Sequence, residues 1–202
     1  MNLFPIFLKL EGRACLVVGA GRVAEGKIDS LLAAGAAVRV VAPRAEALVR
    51  GWAERGLLAW EPREFAASDL DGAALVIAAT ASTEVNRQVF RAAEQRKVWC
   101  NAVDDPPNCD FFYGAVVRRG DLQIAISTAG QSPALAKRLR AMLEAQFPPQ
   151  YAAWVEHLGK ARKRLFSSAI EPEERRRRLQ RMVREPVPEF SRLLRAKERG
   201  SR

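Results

Sequence analysis

Through the first hundred residues, short apolar runs alternate with segments of helical period. Ala14–Gly19 (ACLVVG) is aliphatic, partly β-branched and closed by glycine, as expected of a strand buried on both faces. From Arg22 to Ala34 the positions Val23, Ile28, Leu31 and Leu32 form the inward face of a helix, with Gly35 as its C-terminal stop. Ala37–Val41 (AVRVV) reads as a second strand, ended by Pro43, which a central strand tolerates poorly. Ala45–Arg55 reads as a helix, and Leu57–Glu61 and Leu75–Ala79 as strands. A helix capped by Ser82 or Thr83 runs through Gln95, and Val98–Val103 is a further strand. This alternation predicts a parallel sheet covered by helices on both faces. Right-handed crossovers then place the loops starting at Gly19, Ala42, Thr80 and Asp104 on one rim, where ligands bind.

After residue 105 the pattern changes. Asp105-Pro106-Pro107-Asn108 is a rigid turn, because proline fixes φ and holds its predecessor extended. Phe111–Val117 and Leu122–Ser127 read as strands of a hairpin turning at Arg118-Arg119-Gly120-Asp121. Ser132 as N-cap and Pro133 at the first helical position open a helix to about Phe147, with Leu135, Leu139, Met142 and Leu143 on one face. Three amphipathic helices follow, marked by Tyr151, Trp154, Val155, Leu158 and Leu165, then Leu179, Met182 and Val183, then Phe190, Leu193 and Leu194. The expected fold class is therefore α/β: a Rossmann-like doubly wound domain over 1–113, a hairpin-plus-helix segment over 114–147, and a helical tail over 148–202. The middle segment is too small to stand alone and must pack on the first domain or on a second subunit.

Charge sharpens this division. The net +10 of the 202-residue chain is unevenly spread: residues 1–150 carry 18 Lys/Arg against 16 Asp/Glu, and residues 151–202 carry 15 against 7. The basic character belongs to the tail, and in part of it Glu173 and Glu174 lie four residues before Arg177 and Arg178, at ion-pairing distance on a helix. No apolar run approaches the length of a membrane span, and no signal peptide is visible. Three cysteines, Cys15, Cys100 and Cys109, with no CxxC spacing, fit a reduced, cytoplasmic protein. A single histidine, His157, argues against a histidine metal site and against histidine acid–base catalysis, and no metal ligand set is expected.

Three stretches can carry chemistry. Gly19-Ala20-Gly21-Arg22-Val23-Ala24 is a G-x-G-x-x-A between a strand and a helix: Gly19 permits the turn, Gly21 lets backbone approach a pyrophosphate, and Ala24 allows close helix–strand contact. The bland alternative is a tight turn with no ligand. The second strand ends Val41-Ala42-Pro43-Arg44 without the acid that usually holds an NAD ribose, so the residues leave NAD and NADP open; Arg44 can meet a 2′-phosphate or cover the adenine. Asn101-Ala102-Val103-Asp104-Asp105 puts an acid on the ligand rim, where Asp104 is either a base or substrate-orienting group or a turn carboxylate. Ser127-Thr128-Ala129-Gly130-Gln131-Ser132-Pro133 brings hydroxyls to a helix N-terminus, suited to carboxylates or phosphates but equally to plain capping.

These motifs occur together and in order: LFPIFL before the first strand, GAGRVAEGK, VVAPR, AAT-x₅-N, CNAVDD and ISTAGQSPALAKRLR. The chain thereby resembles the precorrin-2 dehydrogenase (sirohydrochlorin synthase) family, the module forming the N-terminal part of siroheme synthases, densely to about residue 147 and loosely beyond. The resemblance implies NAD-dependent oxidation of precorrin-2 to sirohydrochlorin, and in some members Fe²⁺ insertion, with Fe²⁺ as a substrate. It places the family's key acid on Asp104 and the cofactor contacts on Gly21, Arg22, Val23, Pro43 and Arg44; the motifs themselves add Gly19 and Thr80 as cofactor candidates and make Asn101, Ser127, Thr128, Gly130 and Ser132 the substrate-binding candidates. It favours NAD over NADP, since the family uses NAD without the ribose acid. It also implies a homodimer through about 114–147, with substrate in a cleft between subunits.

Two departures stand out. Relatives carry Ser-Ser-Gly-Gly where this chain has Ser127-Thr128-Ala129-Gly130, so a serine modification described for some members would need Thr128. The 202 residues leave no room for the uroporphyrinogen methyltransferase domain of fused enzymes, so a separate methyltransferase is expected. A tetrapyrrole with eight carboxylate arms suits a basic tail. The competing reading is a nucleotide-sensing or nucleic-acid-binding regulator, motivated by the tail charge and Arg175–Arg178.

Overall fold

A computed structural model describes residues 3–184 and divides the chain into two compact units, Met1–Phe112 and Tyr113–Arg202. The tail helix expected around Phe190, Leu193 and Leu194 lies outside the described residues.

In the first unit, strand β1 (Ala14–Val18) leads into helix α1 (Arg22–Ala33), followed by β2 (Ala37–Val41), α2 (Ala47–Glu54), β3 (Ala59–Glu61), β4 (Leu75–Ala78), α3 (Thr83–Arg96) and β5 (Trp99–Ala102). All five strands are parallel, in the order β3-β2-β1-β4-β5. The chain therefore winds one way from β1 and the other way from β4, which makes the β1–β4 boundary the topological switch point of a doubly wound fold. Alternate residues of β1 serve opposite cores: Cys15 and Val17 pack beneath Ala24, Ile28, Leu31, Val49 and Trp52 of α1 and α2. Leu16 and Val18 pack against Val89, Ala92 and Ala93 of α3. Burial on both faces is why this strand reads as an unbroken apolar run.

In this unit three boundaries and one helix face differ from the sequence expectation. Val23 is 54% exposed, because the buried stripe of α1 is Ala24, Ile28 and Leu31, at spacings of four and three. β3 retains only Ala59–Glu61, and α2 begins at Ala47. Phe111 belongs to the first unit rather than to a hairpin strand. The Asn101 side chain donates to its carbonyl at 2.7 Å, and Asp110 accepts from the Cys100 N–H at 2.8 Å, so 109–111 fold back along β5.

A four-residue ionic network closes the outer edge of this sheet. Asp69, 3% exposed, accepts from Arg63 at 2.6 Å and Arg39 at 3.3 Å; Glu61 pairs with Arg39 at 3.0 Å and also with Arg63. The Arg63 hydrogen bond leads in holding the Asp69 carboxyl below its ordinary range, and the Arg39 bond leads at Glu61.

The second unit pairs β6 (Ala115–Arg119) with β7 (Leu122–Ile126) as an antiparallel hairpin, followed by α4 (Pro133–Gln146), α5 (Tyr151–Phe166) and α6 (Pro172–Arg184). Val117 is fully buried. Ser132 caps α4 as expected, its Oγ accepting from the Leu135 N–H at 3.2 Å. At the other end Arg119 donates to the Phe147 carbonyl at 2.7 Å and the Glu144 carbonyl at 3.1 Å, satisfying acceptors that a helix C-terminus leaves open. The buried side of α4 runs through Ala136, with Leu139 and Leu143 of the predicted face half-buried, while Leu135 is 46% and Met142 57% exposed. In the described tail, Glu173–Arg177 and Glu174–Arg178 pair within α6, and Arg175 lies over the Phe166 ring.

Candidate functional site

The glycine turn follows β1 at the switch point. Gly19 has φ +105°, and a Cβ there would collide with the Ala79 carbonyl and come within 3.0 Å of the Thr80 nitrogen. The Gly19 N–H donates to the Val41 carbonyl at 2.9 Å, so three strand ends converge on this residue. Gly21 is the N-cap of α1, where no side chain accepts from the first helical N–H groups, and a Cβ built on it meets nothing within 4 Å. An uncapped helix N-terminus beneath an open glycine is a cradle for a pyrophosphate. Ala24, fully buried, permits the close helix–sheet contact that aims the helix there. These residues fit a bound dinucleotide.

Around the cradle lie the other cofactor candidates of this unit. Arg22 and Val23 are exposed on the first turn of α1, and Pro43 and Arg44 are exposed after β2. Thr80 is half-buried after β4, held by a residue not singled out as a candidate. Asn86, 4% exposed on α3, accepts the Thr80 N–H at 3.1 Å and hydroxyl at 2.8 Å, and its amide donates to the Thr80 carbonyl. The AAT-x₅-N spacing was its sequence signal.

Asp104 stands on the same rim, exposed, with φ +60°. A left-handed conformation is costly for a residue with a Cβ, and such outliers gather at functional sites. Its neighbours are structurally committed. Asp105 accepts from Arg87 at 3.2 Å and Asn108 at 2.8 Å, the turn role expected of it. Cys109 donates to the Ala102 and Asp105 carbonyls on either side. Asn101, 7% exposed, spends its amide on the Phe111 carbonyl and the Cys109 sulfur, bonds that hold this loop. Lys27, half-buried on α1, is a second residue missed as a candidate: burial pulls its ammonium down, while Asp104 and then Cys109 pull it up. Burial pushes the Cys100 thiol up to about 12, so it stays protonated and inert.

The remaining candidates lie in the second unit. Ala129 and Gly130 are both left-handed, at φ +49° and +79°. Ser127 Oγ accepts from the Ala129 N–H at 3.1 Å, and Thr128 Oγ1 from the Ser132 N–H at 3.1 Å. The hydroxyls thus shape the loop as acceptors. Among the described residues no group of three or more His, Cys, Asp or Glu could hold a metal ion, and no helix is long and apolar enough to cross a membrane.

A parallel sheet with a glycine turn at its switch point and an open helix N-terminus above it defines a dinucleotide-binding α/β protein. Residues 6–115 match the family described as "Putative NAD(P)-binding", and residues 119–146 the family described as "Sirohaem biosynthesis protein central". The chain belongs to the first of these families. It is 39% identical over 191 residues to "Siroheme synthase" of Methylococcus capsulatus, which covers 95% of this chain and 40% of the relative. It is 43% identical over 177 residues to "Siroheme synthase 2" of Cronobacter sakazakii, covering 88% of this chain and 39% of the relative. The chain thus spans about two fifths of the length of these curated relatives. Among solved structures it is similar to "SirC, precorrin-2 dehydrogenase", with 27% identity, a TM-score of 0.78, and coverage of 91% of this chain and 90% of that one. The family resemblance carried by the motifs is borne out. The regulator reading gains no support, and part of the tail charge that motivated it is paired within α6.

Proposed function

We propose that the chain is an NAD-dependent dehydrogenase that converts precorrin-2 to sirohydrochlorin in siroheme biosynthesis. The observation that carries this reading is the near end-to-end likeness to a precorrin-2 dehydrogenase. Gly19, Gly21, Arg22 and Val23 would hold the pyrophosphate of the dinucleotide, with Pro43, Arg44 and Thr80 as its further contacts. When bound, NAD supplies the acceptor for the hydride that leaves the tetrapyrrole.

The chain's own contribution is to orient the substrate and to take up protons. Asp104 is an exposed carboxylate fixed in a left-handed turn on the cofactor rim, able to accept a proton from the tetrapyrrole skeleton as the hydride departs. Asn101, Ser127, Thr128, Gly130 and Ser132 contribute to substrate binding: Asn101 by shaping the loop beside Asp104, the others through O–H and N–H groups suited to carboxylate arms. Sirohydrochlorin is also a ligand for Fe²⁺, a second substrate whose coordination the macrocycle nitrogens supply.

The enzyme works as a cytoplasmic homodimer through 114–147. The exposed Leu135 and Met142 on α4 support the dimer, and three free cysteines support a reducing compartment. The test is turnover of precorrin-2 with NAD, followed by absorbance, with and without Fe²⁺. Wild type is expected to form sirohydrochlorin, and Asp104→Ala to lose on the order of 10²- to 10⁴-fold in kcat. Wild type without turnover overturns the activity, and Asp104→Ala equal to wild type overturns the role of that residue.

A further inference from the structure

The strand β2 ends without the acid that usually grips an NAD ribose, yet the structure ties an acid from the start of α2 to the glycine turn. The Glu46 N–H donates to the carbonyl of Ala20, inside the glycine turn, at 3.0 Å. Glu46 is the N-cap residue of α2, with extended backbone (φ −62°, ψ 157°), but its side chain makes no capping bond. The residues that cap well are short, and a glutamate is a poor choice for that task. It is exposed, and among the described residues its carboxylate has no hydrogen-bond or ion-pair partner. That backbone bond anchors the acid beside the turn expected to cradle a pyrophosphate, next to which a dinucleotide's ribose would lie.

We propose that Glu46 is the ribose-binding residue of this chain, accepting from the ribose hydroxyls of NAD and rejecting the 2′-phosphate of NADP. The inference rests on the cofactor reading above and deepens it. A carboxylate accepts from a vicinal diol, and against a phosphate dianion it presents like charge and no donor, so one residue both binds and discriminates. Arg44, two residues earlier and likewise exposed, is the opposing feature. With Glu46 present the loop carries both signs, and with Glu46 neutralised Arg44 is left to favour a phosphate.

The test is direct titration of NAD and NADP into the purified protein without tetrapyrrole, by calorimetry or protein fluorescence. Wild type is expected to bind NAD more tightly than NADP. Glu46→Gln and Glu46→Ala are expected to weaken NAD about 5- to 20-fold and to tighten NADP, so that the preference narrows or inverts. In Glu46→Ala/Arg44→Ala the gain for NADP disappears. Both Glu46 variants should keep the wild-type unfolding midpoint, since the side chain is exposed and makes no capping bond. If wild type binds NAD and both variants bind NAD and NADP as it does, Glu46 is not the discriminator and the cofactor reading stands. If wild type binds neither dinucleotide, both readings fall.

Discussion

Asn86 and Thr80 form a closed three-bond clasp: the asparagine Oδ1 takes the threonine N–H and hydroxyl, and the asparagine amide returns a bond to the threonine carbonyl at 3.3 Å. The clasp fixes the loop after β4 to the first turns of α3, and that loop forms one wall of the crevice above Gly19. Asn86→Ala leaves the half-buried Thr80 N–H without its acceptor, which costs about 1–2 kcal/mol. A lower denaturant midpoint and weaker NAD binding are expected together. Asn86→Asp retains the acceptor but buries a charge and loses the donor, so it should not rescue either property.

The two glycines of the turn should fail in different ways. Gly19→Ala forces a Cβ into the Ala79 carbonyl from a backbone conformation that L-residues avoid, so folding itself should suffer. Gly21→Ala meets open space at φ −85°, and its folding cost should stay under about 1 kcal/mol. On the proposed cofactor site, its Cβ would enter the space a pyrophosphate needs. Thermal melts and NAD titration of the pair should show one variant unstable and the other stable but unable to bind.

Much of the architecture was legible because the sheet is buried on both faces. Runs such as Leu75–Ala78 and Ala37–Val41 can be little else between helical periods, and the parallel order follows from the alternation. Val23 and Met142 show where periodicity stops: both sit at helical spacing with core residues, yet lie just outside the stripe that a particular neighbour covers. Phe111 was read as hairpin strand because its own residues are apolar, while its place is set by Asn101 ten positions earlier. The candidate site was legible where one short string carries the chemistry, as at Gly19–Ala24. Glu46, Asn86 and Lys27 escaped because their significance depends on contacts between elements. The Glu46–Ala20 bond spans 26 positions, and no spacing rule announces it.

The Asp69 network predicts an acid limit to stability. Asp69 and Glu61 have folded pKa values below their unfolded ones, so the stability they contribute is complete above about pH 4, near the unfolded carboxylate values, and is lost as pH falls through the folded values. Unfolding midpoints should be flat with respect to this network from pH 7 to 5 and decline below that. Asp69→Asn should lower stability at pH 7 by about 2–3 kcal/mol, less than for a fully buried pair because both arginines keep solvent contact. It should also flatten the acid limb. A variant with the wild-type acid limb would show that other carboxylates set it.

Lys27 reports on Asp104 without any turnover. Burial lowers the ammonium's pKa and the Asp104 carboxylate opposes that shift, so removing the carboxylate leaves burial less opposed. In Asp104→Asn the Lys27 titration, read from lysine ¹³Cε shifts, should move to lower pH than in wild type. Asp104→Glu should keep most of the wild-type value. An unmoved midpoint in Asp104→Asn would mean that the two groups are screened from each other in solution.

The proposed homodimer predicts what the exposed side of α4 is for. Leu135 and Met142 are seven residues apart, two turns along one helix face, and neither is covered within its own unit. A stable dimer typically buries about 1,600 Å² in total, and apolar side chains at its centre are where charge is least tolerated. Met142→Glu and Leu135→Glu add charge at positions open to solvent in the single chain, so the folding cost should remain within about 0.5 kcal/mol. Light scattering at micromolar concentration should give a dimer for wild type and a monomer for the double variant, with similar far-UV circular dichroism. Turnover should fall with the dimer, because the proposed cleft needs both subunits, while NAD binding at Gly19–Val23 should persist. A wild type that is already monomeric, or a double variant that stays dimeric, would move the interface away from this face.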